Sequence, residues 1–334
     1  MFTERAATSA GEPAIACLLC PHRCVLREGA TGRCGVRGVE GGSLVSRNYA
    51  MVTGACIDPI EKKPLYHFMP GSGILSVGTF GCNMSCQFCQ NWETSQARSG
   101  GTRLAPAHLV ALAQKHRDRS IGVAYTYSEP TVWYEYVLES ARLVRAAGLR
   151  NVLVTNGFIN PDPLAELLPY VDAMNIDLKS MDEAFYGKVC GAGPQPVLEA
   201  IERSFAAGCH VELTTLVIPG LNDGIEHIHR LAAWAGGLSR GIPLHLSRYF
   251  PNYKMDIAPT PIETLAACAD AARAHLDYVF VGNAVVPGGN DTSCPNCGEL
   301  LIQRRGLGFA APPTVHMAEP RCPACGVDVP VALG

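Results

Sequence analysis

The sequence predicts an α/β fold: a partial, TIM-like (β/α)6 barrel with a small cysteine-rich metal-binding segment at each end. Three observations lead there. Between about residues 74 and 283, short strand-like runs alternate with amphipathic, helix-like stretches. The strand-like runs are apolar almost throughout, as buried parallel strands are. At both ends of this region the composition shifts, to Gly, Arg and Cys before it and to Gly, Pro and Cys after it. The expected division is 1–50 for an N-terminal four-cysteine segment, 51–287 for the barrel, and 288–334 for a C-terminal zinc-ribbon or rubredoxin-like segment.

In chain order, the expected strands are "GILSVGTF", "IGVAYTY", "NVLVTNG", "AMNIDLK", "VELTTLVIP", "LHLSRYF" and "YVFVGN". Each is rich in Val, Ile, Leu, Thr or aromatics and stops at Gly, Pro, Asn or a polar residue. The stretches "TVWYEYVLESARLVRAAG", "PVLEAIERSFAAG" and "IETLAACADAARAHL" read as crossover helices. In the first, Val132, Tyr136, Leu143 and Val144 share a helical face, and Gly148 suits a C-terminal cap. About six β/α units are too few for a closed eight-stranded barrel and suit an open one.

A net charge of −3 gives no reason to expect nucleic acid or an anionic membrane as a partner. No apolar run approaches the roughly 18 residues that cross a bilayer. The start, "MFTERAATSAGEP", has no apolar core of a signal peptide and reads as a loose tail, so the protein is expected to be cytoplasmic.

Eleven of the 15 cysteines fall into three tight groups, which favours metal over disulfides in a chain this long. Cys294, Cys297, Cys322 and Cys325 form two CxxC knuckles of the zinc-ribbon type, with iron as a second option. Cys17, Cys20, Cys24 and Cys34 offer four thiolates for zinc, by analogy with the C-terminal set, or for an auxiliary [4Fe–4S] cluster. Cys82, Cys86 and Cys89 are three, directly after the first expected strand. Three thiolates can hold three irons of a [4Fe–4S] cluster and leave the fourth open; the alternative is a zinc ion completed by a distant His such as His67. The scattered Cys56, Cys190, Cys209 and Cys268 read as buried small apolar residues.

Unusual polar residues close the other strands: Glu129, Asn156, Asp177 with Lys179, and His245 with Ser247 and Arg248. Ligands bind at the carboxyl ends of parallel strands, so these groups and the three cysteines are expected at one mouth. Lys62, Lys63, Tyr66 and His67 are expected near it as a substrate or partner surface. Tyr125 and Tyr127 suit either the pocket or the core.

"CNMSCQFC" resembles the CxxxCxxC signature of the radical S-adenosylmethionine (SAM) superfamily. The resemblance implies a [4Fe–4S] cluster on Cys82, Cys86 and Cys89 whose open iron is chelated by SAM, and reductive cleavage of SAM to a 5′-deoxyadenosyl radical that abstracts substrate hydrogen. It implies that Glu129 receives the SAM amino group, that Asn156, Asp177 and Lys179 surround the ribose, carboxylate and reacting end, and that Phe88, Ile218 and His245 frame the adenine. The superfamily usually has two glycines before the Glu, where this chain has Tyr127 and Ser128. It also implies an electron donor such as flavodoxin or ferredoxin, and a protein or peptide among the candidate substrates. "CLLCPHRC", "DPIEKKPLYHFMPG", "YTYSEPT", "SRYFPNYKM" and "SCPNCGELLIQR" resemble the AmmeMemoRadiSam system radical SAM enzymes, which are related to pyruvate formate-lyase activating enzymes. The candidate functions are thus hydrogen abstraction from an unidentified substrate, activation of a glycyl radical enzyme, or, without SAM cleavage, an iron–sulfur and zinc electron-transfer or docking scaffold.

Overall fold

The computed structural model describes residues 2–284, 286, 289–306 and 309–334; the expected boundary between 287 and 288 lies outside them. Among the described residues, the central sheet has eight strands: β1 Gly54–Pro59, β2 Gly73–Gly78, β3 Gly122–Tyr125, β4 Arg150–Thr155, β5 Ala173–Asp177, β6 His210–Val217, β7 Leu244–Arg248 and β8 Val279–Gly282. They lie side by side in chain order, so β1 and β8 are its two edges. β2 to β8 are parallel, and β1 returns antiparallel along β2.

Each parallel crossover carries a helix: α1 Pro106–Lys115, α2 Tyr134–Ala146, α3 Pro161–Leu167, α4 Gln195–Ala206, α5 Ile225–Leu238 and α6 Ile262–Arg273. This makes six β/α units in an open barrel. Pro106 and Pro161 open their helices at the first position, where the missing N–H has no intrahelical acceptor to lose. α2 buries Tyr136, Val137, Ala141 and Val144 against the sheet and ends at Gly148, whose φ of +70° suits a residue without a Cβ. Leu143 departs from the expected apolar face. It is 39% exposed, because the apolar stripe runs along the 137–141–144 side of the helix.

The floor of the barrel is built around one buried carboxylate. Glu212, on β6, accepts from the backbone N–H groups of Tyr66 (2.9 Å) and His67 (2.7 Å) and pairs with His245 Nε2 (2.7 Å) and His210 Nε2 (3.0 Å). Burial alone would raise its pKa, but the His210 and His245 hydrogen bonds outweigh burial and hold it well below the usual carboxylate range. Arg304 from the C-terminal segment is also buried here, stacked over Tyr66 at 4.5 Å and donating to Thr292 and the carbonyl of Asn290. These contacts lock the 60–68 loop and the C-terminal strands Thr292–Ser293 and Leu300–Gln303 beneath the sheet.

At the other end, the expected loose tail is a strand. Thr3–Ala7 pairs antiparallel with Pro13–Cys17, because the intervening Gly11, at φ +78°, turns the chain back. The N-terminal segment is tied to α2 by a bidentate pair, Arg37 to Glu135, with both N–O distances 2.7 Å and the guanidinium 2% exposed. Truncation of the acid leaves that cation buried and alone. Glu135→Ala is expected to cost about 3–5 kcal/mol in denaturant unfolding. A loss below about 1 kcal/mol, the scale of a surface ion pair, would contradict this assignment.

Candidate active site

The carboxyl ends of β2 to β8 surround a cavity of about 370 Å³. Every parallel strand contributes to its wall, directly or through the loop it leads into: Cys82 after β2, Glu129 after β3, Asn156 after β4, Asp177 and Lys179 at β5, Thr214 and Leu216 on β6, Ser247 on β7, and Asn283 after β8. Cys86, Phe88 and Cys89 complete it on the loop after β2.

The cysteine loop is shaped by Gly81, whose φ is +89°; a Cβ there would fall 2.5 Å from Val36 and 2.8 Å from the carbonyl of Cys34. Each thiol has a polar neighbour. Cys82 Sγ accepts from the Met84 N–H (3.4 Å) and from Asn156 Nδ2 (3.6 Å), and Cys89 Sγ lies 3.3 Å from Ser95 Oγ. Cys190, expected as inert packing, hydrogen-bonds Cys86 and with Lys179 lowers its pKa, whereas burial pushes Cys82 up. The three thiols do not lie within 4.8 Å of one another, so they are spread wider than a single ion draws its ligands. His67 does not join them. It sits in the floor with Nε2 3.1 Å from Thr292, and burial lowers its pKa to about 3.

Glu129 is 2% exposed and its carboxylate takes three hydrogen bonds, from Thr131 N (2.8 Å), Thr155 Oγ1 (2.6 Å) and Asn156 N (2.8 Å). Burial nonetheless leaves its pKa raised. A carboxylate already stripped of water gains more from a nearby cation than a hydrated one does. Tyr127 keeps φ +68°. Its hydroxyl donates to Asp58 (2.7 Å) and meets Cys56 Sγ (2.9 Å), while Lys63 lies 4.8 Å over its ring. These contacts hold a backbone conformation that a bulky residue rarely adopts.

Lys179 donates to Asp177 at 2.7 Å, with Nζ 5.8 Å over the Phe88 ring. Burial works against its charge, but Asp177 and then Cys86 outweigh burial and raise its pKa well above the usual value. Phe88, Glu129, Asn156, Asp177 and Lys179 thus face one space with the three cysteines. Two of the expected adenine contacts do not. Ile218 is fully buried, with its N–H on Asn222 Oδ1 (2.7 Å), and His245 is turned to Glu212 and packed edge-on to Tyr66 at 4.6 Å. The "DPIEKKPLYHF" loop is divided likewise. Lys62 reaches the cavity, Lys63 is buried on Asp58, and Tyr66 and His67 belong to the floor. Tyr125 is core, and Cys56 is exposed rather than buried.

The C-terminal cysteines meet differently. The sulfurs of Cys294, Cys297, Cys322 and Cys325 lie within 4.8 Å of one another, with 3.6 Å between Cys294 and Cys325 and between Cys297 and Cys322. A tetrahedral ion with metal–sulfur bonds of about 2.3 Å spaces its thiolates about 3.8 Å apart.

Comparison with known proteins matches residues 76–232 to the Radical SAM superfamily. An uncharacterized protein of Methanocaldococcus jannaschii is 40% identical over 327 residues, 96% of each chain. The chain belongs to the radical SAM superfamily. The pyruvate formate-lyase 1-activating enzyme of Escherichia coli K12 is 27% identical over 58% of this chain and 87% of its own. The benzylsuccinate synthase activating enzyme of Thauera aromatica is 26% identical over 70% and 77%. Streptococcus suis SuiB bound to S-adenosylmethionine shares the fold at a TM-score of 0.51 and 12% identity, over 65% of this chain and 50% of its own. This radical SAM protein is therefore an enzyme of the SAM-cleaving class, with a [4Fe–4S] cluster and SAM as the superfamily's working groups. Nothing in the wall of its cavity conflicts with them: the three thiols are set wider than a single ion draws its ligands, and a buried anion and a buried cation flank them. Among the described residues, no helix is long and apolar enough to cross a membrane.

Proposed function

We propose that Cys82, Cys86 and Cys89 hold the [4Fe–4S] cluster and that SAM occupies the rest of the cavity. The observation that carries this reading is the convergence of three wide-set thiols, a buried carboxylate and a buried ammonium on one space. When bound, the cluster supplies the electron that splits SAM into methionine and a 5′-deoxyadenosyl radical.

The chain's own residues orient and shield. Glu129, held rigid by three donors, accepts the SAM amino group. Lys179, kept charged by Asp177, would pair with the SAM carboxylate, and Asn156 would offer its amide to the carboxylate or ribose. Asn156 and Cys190 donate to thiolates and so temper the negative charge of the cluster, as ligand-supporting hydrogen bonds do at metal sites. Phe88 gives the adenosine an apolar wall. The enclosed strand ends exclude water, which protects a reactive radical from quenching by solvent. His245 supports the floor, Ile218 packs just past β6 with its N–H on Asn222, and neither lines the cavity.

The substrate we propose is a segment of a protein or peptide that reaches over the rim beside Lys62 and Asn283. The similarity to two enzymes named as activating enzymes supports a protein substrate, and a glycyl radical enzyme is the leading type. The AmmeMemoRadiSam subgroup rests on the sequence motifs. We place the protein in the cytoplasm, with a flavodoxin- or ferredoxin-class donor. The C-terminal four-cysteine site holds zinc, because its sulfur spacing fits one tetrahedral ion and the segment's small apolar cluster is shared with Tyr66, Tyr278 and Phe280.

Anaerobically reconstituted protein with dithionite and SAM is expected to release 5′-deoxyadenosine, and Glu129→Ala is expected to lose at least about tenfold in SAM affinity, the value of about 1.4 kcal/mol. An intact cluster that yields no 5′-deoxyadenosine would sink the reading, and unchanged affinity in Glu129→Ala would remove that residue from the pocket. Metal analysis is expected to find about one zinc per chain, lost in Cys297→Ser. Zinc retained in that variant would refute the C-terminal assignment.

A further inference from the structure

The N-terminal cysteines line a second, much smaller cavity that has no part in the SAM pocket's wall. Cys17, Cys20, Cys24 and Cys34 all face it, together with Arg37 and Asn83. Cys17 is the last residue of the strand Pro13–Cys17, and the other three lie in loops fixed by backbone contacts, Cys17 N–H to the Cys24 carbonyl (3.0 Å) and Gly32 N–H to the Arg37 carbonyl (2.8 Å).

Two kinds of four-thiol site can now be compared within one molecule. In the C-terminal set all four sulfurs are drawn within 4.8 Å, as one tetrahedral ion requires. In the N-terminal set no three of the four sulfurs meet that limit, and an enclosed space lies between them. A [4Fe–4S] cluster sets its thiolates farther apart than zinc does, because the iron–sulfide cube stands between them. The cavity's wall is also dressed for an anionic group. The backbone N–H of His22 is aimed at Cys20, and those of Val36 and Arg37 at Cys34. The Arg37 guanidinium is buried beside Cys17, and its Nε is without a hydrogen-bond partner. A buried donor without an acceptor is costly, and four thiols gathered around one space inside the fold have no packing rationale.

We propose that Cys17, Cys20, Cys24 and Cys34 bind a second, fully ligated [4Fe–4S] cluster. Zinc, expected there by analogy with the C-terminal set, does not suit the spacing. The second site adjoins the first through Asn83. This residue follows Cys82, lines the N-terminal cavity, accepts from Asn156 Nδ2 (2.9 Å) and presents its carbonyl to His22 Nε2 (2.7 Å). One side chain and one peptide therefore separate the SAM site from the auxiliary one.

Acid-labile sulfide counts the clusters without interference from the C-terminal site, since a mononuclear ion brings no sulfide. Anaerobically reconstituted full-length protein should contain about eight sulfides per chain, and the triple variant C82A/C86A/C89A about four, with a [4Fe–4S] Mössbauer signature retained. Reduced wild-type protein should show an electron paramagnetic resonance spectrum broadened by two interacting clusters, and the triple variant an unbroadened one. About four sulfides in the wild type, all lost in the triple variant, together with a second zinc per chain, would overturn the proposal. About four sulfides that survive in the triple variant would support the N-terminal cluster and instead count against the cluster assigned to Cys82, Cys86 and Cys89. The wild-type count needs no variant to fold, and Cys20→Ser, expected to fall to about four sulfides, provides the reciprocal check.

Discussion

Seven parallel strands laid down in chain order impose one constraint on everything else: their carboxyl ends share a rim. A residue placed just beyond a strand is delivered to that rim whatever its distance in sequence. Cys82, Glu129, Asn156, Lys179, Ser247 and Asn283 are spread across most of the barrel's sequence and still meet at one cavity. The open sheet leaves that cavity wider than a closed barrel's packed interior would allow. The antiparallel strand β1 adds the loop that carries Lys62 to the same rim.

Polar groups buried in such a site are costly unless satisfied, and the molecule satisfies its buried carboxylates in two layers. At the rim, Glu129 joins β3 to β4 through Thr155 and Asn156, and Asp177 neutralises Lys179. Beneath it, Glu212 gathers two backbone N–H groups and two imidazoles. The lower layer is structural, yet it supports the upper one, because it fixes β6 and β7 at the height where Thr214 and Ser247 face the cavity. The strained backbone of Tyr127 is held by Asp58 and Lys63. Strain kept in place by surrounding contacts is a common property of binding sites.

Much of this was legible in the sequence. All seven expected strands are found, since buried parallel strands are the most apolar runs in a chain and their polar stops are sharp. The residues next to those stops could be assigned to the rim by topology, which is why Glu129, Asn156, Asp177 and Lys179 could be named, whereas Phe88 was named from the resemblance to the CxxxCxxC signature. Depth along a strand could not be read the same way. His245 and Ser247 point to the same side of β7, and only the packing of Tyr66 and Phe280 shows that His245 lies a layer lower. Long-range partners were also hidden: nothing near Cys190 in sequence indicates Cys86, and nothing near Asn83 indicates the N-terminal thiols. The spacing of four cysteines names a metal site, but the distance between their sulfurs, which separates one ion from a cluster, is a property of the folded chain.

The central claim is that the three-thiol site leaves an iron free for SAM, within reach of Glu129 and Lys179. Electron–nuclear double resonance on the reduced cluster, with SAM labelled by 15N at its amino group and 13C at its carboxylate, tests it most directly. The account predicts hyperfine coupling of both labels to the cluster, with the 15N coupling weakened or lost in Glu129→Ala. A reduced cluster bound by Cys82, Cys86 and Cys89 that shows no coupling to either label would contradict it.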